Sequence, residues 1–172
     1  PTSGHHQLSG ITPVRVAFLA LLYTGQREGD VVRLSREGFD SGLGEVQITQ
    51  QKTGKLTTIP LHKNLRDELF ISLKAADADR RRKIETYDRA VPEITTLLVN
   101  SRGRAWTVDG LRTALYKERK RLGLLHCHPH GLRKNAAQSF PMPVQPKYAR
   151  DLARDPNCLT ELTLGFHSAA SP

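Results

Sequence analysis

The sequence predicts an α+β domain, mainly α-helical with a small antiparallel β-sheet. Three observations carry this: an apolar run bounded by cap residues near the start, one alternating stretch folded about a glycine, and two later segments with helical spacing. No internal repeat is present. The expected organisation is one domain over residues 1–172, with a flexible segment at 1–10 and a divergent tail at 139–172.

In chain order, "ITPVRVAFLALL", from Ile11 to Leu22, reads as a buried helix. Thr12 is placed to cap it, Pro13 suits its first turn, and Thr24-Gly25 ends it. A short helix and a turn follow in "EGDVVRLSREGFD". "GEVQITQQKTGKLTTIPL" alternates on both sides of Gly54, the signature of a β-hairpin, with Val46 and Ile48 expected on one arm and Leu56 and Ile59 on the other. From His62 a helix is expected through "NLRDELFISLK". The polar "DADRRRKIETYDR" beyond it reads as a surface excursion, either solvated helix or linker. "TLLVN", Thr96 to Asn100, reads as a short strand. Thr107 then caps a helix with Val108, Leu111 and Leu115 on one face and a basic end, "KERKRLG". A last helix is expected to open in "PHGLRKNAAQ" and stop near Gln138, ahead of Pro141, Pro143 and Pro146.

The charge balance bounds the partners. Against 17 acidic residues stand 26 Lys and Arg, a formal charge of +9, which favours a polyanion such as nucleic acid. No apolar run approaches the roughly 18 residues of a spanning helix, and the opening "PTSGHHQLSG" lacks a signal peptide's apolar block. Only two cysteines occur, Cys127 and Cys158, in no regular spacing, so a disulfide framework is not expected and a reducing, cytoplasmic location is.

"HCHPHGLRK", His126 to Lys134, poses the chemical choice between metal and phosphate. A zinc site needs about four ligands, usually from two separated clusters. The second cluster is missing here, so no metal is expected, and a metal-dependent phosphodiesterase is the lesser alternative. The phosphate reading needs guanidinium groups, whose planar fork holds two oxygens at once. His130 and Arg133 would both sit near a helix N-terminus, where backbone N–H groups favour an anion. His-x-x-Arg alone is a common chance pattern, but two other segments accompany it. "LLYTGQREGD" places Arg27 after a buried helix and a glycine turn, and "QQKTGKLTTIPL" places Lys52 beside a hairpin tip.

In that order the three segments resemble the tyrosine recombinases, the phage integrase family of DNA breaking and rejoining enzymes, over about Ile11 to Gln138. The resemblance implies that family's catalytic-core fold, without the amino-terminal core-binding domain. It makes Arg27 and Arg133 the clamp on the scissile phosphate, with Asp30 orienting Arg27. Lys52 becomes the acid that protonates the leaving 5′ oxygen, and His130 an acid or base beside it. Lys55 competes for the role of Lys52 or, like Lys134, contacts DNA. It also implies a 3′-phosphotyrosyl intermediate, no cofactor, and double-stranded DNA and other recombinase protomers as partners, in a bacterial or phage-encoded protein.

The tail departs from the family pattern. His167, in "LGFHSAAS", is the candidate for a further family histidine, but no tyrosine follows it. Tyr148 is the only tyrosine after Arg133 and therefore the only late candidate nucleophile. An inactive or truncated remnant that only binds DNA is the alternative this departure raises.

Overall fold

The computed structural model describes residues 12–87 and 90–128. Helix α1 spans Pro13–Thr24. Thr12 caps it, its hydroxyl accepting from the Arg15 N–H at 3.3 Å, and Gly25 closes it in the left-handed region at φ 61°. Only glycine adopts that conformation without strain from a Cβ. Val16 through Leu22 are all buried, so α1 is apolar on every side and runs through the core.

A short helix, α2, spans Glu28–Val31. The sheet follows: β1 (Phe39–Asp40), β2 (Glu45–Thr49) and β3 (Leu56–Pro60), antiparallel in the order β1-β2-β3. Val46 faces Ile59 and Ile48 faces Thr57, which puts Val46, Ile48 and Ile59 on the core side. Leu56 and Ile59 share the second arm as expected, but on opposite faces, Leu56 being 61% exposed. Side chains alternate with period two, so a residue three before Ile59 must point the other way. Thr57, Ile59 and Leu61 share the inner face instead, two of them buried and Thr57 half-buried.

Helix α3 runs unbroken from Lys63 to Tyr87. Of the two alternatives for the polar stretch, solvated helix or linker, the structure has the helix: it is the second half of one 25-residue element. Its stability comes from two sources that composition does not display. Asp79 pairs with Lys83 at 2.5 Å and with Arg82 at 2.6 Å along the helix surface. The chain returning from it then docks back: Ile94 and Val99 bury Ala76, and the Arg80 Nε–H donates to the carbonyls of Val91 and Pro92 at 3.1 Å. Near its start α3 is tied to α1 through Arg15 and Glu68 at 2.5 Å, both largely shielded from water.

Thr96 to Asn100 forms no strand of its own. It contributes two single bridges, Ser35 with Thr96 and Val99 with Ala105, and the third strand of the sheet is β1. The apolar run is spent on packing, since Leu97 and Leu98 are core residues. Helix α4, Val108–Arg121, begins at Thr107, whose hydroxyl accepts from the Gly110 N–H at 3.0 Å. Leu111 and Leu115 enter the core. Arg119, pushed below its ordinary value by burial, donates to the carbonyls of Leu124 and Leu125 and so fastens the turn after α4. Cys127, fully buried at the end of this turn, is disulfide-bonded, a pairing the irregular cysteine spacing did not lead one to expect.

Candidate functional site

The site begins where α1 ends. Gly25 turns the chain out of the core, and Arg27 sits as the extended residue before α2, φ −69° and ψ 152°. Its carbonyl accepts from the N–H groups of Asp30 and Val31, at 2.9 and 2.8 Å, so its backbone is fixed by the first turn it caps. The guanidinium is half-buried and has no hydrogen bond or ion pair among the described residues. Among the described residues it is therefore a cation held by its backbone with its side chain unpaired.

The hairpin supplies the second cation. Between β2 and β3, residues Gln51, Lys52, Thr53 and Gly54 form a four-residue loop. The loop is closed by the Gly54 N–H donating to the Gln50 carbonyl at 2.8 Å and the Gln50 N–H donating to the Lys55 carbonyl at 2.9 Å. Gly54, at φ 66°, takes the conformation that closure requires. Lys52 is exposed on this loop and makes no ion pair among the described residues.

Arg27 and Lys52, far apart in sequence, line one cleft of about 700 Å³. Leu21 and Val108 form apolar parts of its wall, Gln26 and Gln51 line it from the two loops, and Gly29 and Asp30 line it from α2. Arg112, on α4, completes the lining. Its Nε lies 2.7 Å from Glu28 Oε2, and that hydrogen bond raises the guanidinium above its ordinary value. The cleft thus presents the cations Arg27, Lys52 and Arg112 against the carboxylates Glu28 and Asp30, and Glu28 is engaged by Arg112. Lys55 is exposed and is not among the lining residues.

Asp30 is 2% exposed, and its Oδ1 accepts from the backbone N–H of Gln51 at 3.0 Å. The resemblance gives this carboxylate to Arg27. The bond the structure records runs to the hairpin instead, joining α2 to the residue before Lys52, and the other oxygen, Oδ2, is buried with no partner among the described residues. Asp30 therefore ties α2 to the loop that carries Lys52.

His130, Arg133, Lys134, Tyr148 and His167 lie outside the described residues, as does the helix expected to open in "PHGLRKNAAQ". His126 and His128 are exposed, and among the described residues no group of three His, Cys, Asp or Glu could hold a metal ion. No described helix is long and apolar enough to cross a membrane.

The model of the phage integrase family matches residues 8–140, more than half of the chain. The chain belongs to the phage integrase family.

Solved structures agree on the fold. The lambda integrase catalytic core matches with a TM-score of 0.52 at 18% identity, over 84% of this chain and 82% of that one. XerA recombinase matches with a TM-score of 0.54 at 13% identity, over 95% of this chain and 65% of that one. A lambda integrase (75–356) dimer bound to a COC′ core site matches with a TM-score of 0.53 at 18% identity, over 91% of this chain. The present chain spans about half the length of that protein, 53%. No curated protein matches the chain in sequence.

Sequence reasoning named two of the integrase cleft's cations and missed the third. Arg112 follows Val108 by four residues, so both project from one helix face, and that spacing was the available signal. The apolar pattern through Leu111 and Leu115 is the stronger one on the same helix, and those two residues enter the core.

Proposed function

We propose that this integrase domain binds duplex DNA across the Arg27–Lys52 cleft and cleaves and rejoins a strand there by transesterification. One observation carries the reading: an arginine and a lysine from separate segments, both without ion-pair partners among the described residues, share a cleft wide enough for a phosphodiester. A guanidinium donates two parallel hydrogen bonds to phosphate oxygens and stabilises charge gathering on them. An ammonium on a flexible stem suits proton delivery.

In the proposed reaction a tyrosine hydroxyl gives its proton to His130 as it attacks phosphorus, the new O–P bond forms as the bond to the 5′ oxygen breaks, and Lys52 gives that oxygen its proton. The phosphotyrosyl bond conserves the energy of the broken one, and a 5′ hydroxyl reverses the step during joining. Arg133 and His130 complete the phosphate site in this reading, and Tyr148 is the nucleophile the sequence offers. Lys55 and Lys134 would contact DNA beside the cleft, and other protomers would assemble on the same DNA.

A suicide duplex, nicked so that the cleaved end diffuses away, tests the reading by accumulating a covalent protein–DNA adduct. The adduct is expected with the unaltered chain in the presence of chelator, and lost in Arg27→Ala and in Tyr148→Phe. Abolition by chelator would point to the metal-dependent alternative. The alternative reading is DNA binding without cleavage. Salt-sensitive DNA binding that weakens in Arg27→Ala, with no adduct, would establish that reading instead.

A further inference from the structure

The loop that carries Lys52 is exposed and only four residues long, yet it is fastened to the Arg27 segment by side chains that no chemical step requires. The Gln50 Nε2–H donates to Gln26 Oε1 at 3.0 Å, and Gln50 Oε1 in turn accepts from the Thr53 hydroxyl at 3.0 Å. Gln26 Nε2 donates back to the Thr24 carbonyl at 3.3 Å. A continuous polar chain thus runs Thr24, Gln26, Gln50, Thr53, and its members adjoin the two cations: Gln26 precedes Arg27, and Thr53 follows Lys52. A second strut joins the same two segments, the Gln51 N–H donating to Asp30 Oδ1 at 3.0 Å.

We infer that Gln26 and Gln50 are positioning residues whose amide pair sets the distance between Lys52 and Arg27. The inference rests on the reading that these two cations meet one phosphate. An amide pair suits the task for an electrostatic reason. A carboxylate at either position would pair with Lys52 or Arg27 and compete with the phosphate, whereas neutral amides brace the loop and leave both charges free. Both glutamines are half-buried, so the contact is partly shielded from water without confronting the full cost of burying a polar group.

The test uses the full chain with Gln50→Met and Gln26→Met, which keep length and charge and remove the hydrogen bond. Amide hydrogen exchange is read first. Loss of one such bond converts to about a 2- to 10-fold faster opening, expected at Gln51 and Gly54 in both variants. The ladder amides of Val46 and Ile48 should be unchanged. Unchanged exchange at Gln51 and Gly54 would overturn the inference.

Affinity for a short DNA duplex is read second, in a cycle with Lys52→Ala. Gln50→Met is expected to weaken binding in the unaltered chain and to have no effect once Lys52 is gone. An equal effect in both backgrounds would show that the brace does not act through Lys52, and would also overturn the inference. If Lys52→Ala and Arg27→Ala both leave affinity unaltered, the shared-phosphate reading is what fails. The functional part of the inference then falls with it, while exchange still decides whether the brace exists.

Discussion

Replacing Asp30 probes the join between the two halves of the cleft. Its carboxylate is buried, and the Gln51 N–H donates to it at 3.0 Å. Hydrogen bonds to a charged acceptor contribute about 1.5–3 kcal/mol, roughly twice a neutral one. Asp30→Ala removes the acceptor altogether and should destabilise the domain by about 2 kcal/mol. Asp30→Asn keeps an oxygen at the same place without the charge, so about half of that loss, about 1 kcal/mol, is expected. With a urea m-value of about 2 kcal/mol/M for a small domain, the unfolding midpoint should fall by about 1 M in the alanine variant and about 0.5 M in the asparagine variant. Urea unfolding followed by circular dichroism measures both. An alanine variant as stable as the parent, or an asparagine variant more stable than it, would show that burying the charge costs more than the hairpin bond returns. That would refute the assignment of Asp30 as a strut.

Three further outcomes follow from the packing and charge. Leu115→Ala, at a core position 2% exposed, should cost about 2–5 kcal/mol; a thermal midpoint within error of the parent would contradict the placement of α4. Thr107→Ala removes the cap that accepts from Gly110 and should cost about 1 kcal/mol, with Thr107→Ser restoring most of it by the same unfolding assay. The Asp79 carboxyl is held below its ordinary value of 3.8, chiefly by its hydrogen bond from Lys83 and then by Arg82. A depressed folded-state value means the contribution is complete above 3.8 and is lost as pH falls below it toward the folded value. An NMR titration of Asp79 should have its midpoint below 3.8, and Lys83→Ala should return it toward 3.8; a midpoint at or above 3.8 in the parent would remove the pairing from the account of α3.

The sequence by itself determined the elements whose signals are local. Thr12, Pro13 and Gly25 bound α1, Thr107 opens α4, and alternation around Gly54 specifies a hairpin, because caps and turns are satisfied within a few residues of the group that needs them. Family motifs, local too, marked Arg27 and Lys52. Only tertiary structure decided the second half of α3, where a polar segment is helical because the chain from Val91 to Val99 returns and packs on it. It likewise turned Thr96 to Asn100 from a strand into packing residues and brought Arg112 to the cleft. The partner of Asp30 belongs to the same class: a buried carboxylate takes whatever N–H the fold delivers, and here that donor lies on the hairpin, 21 residues along the chain.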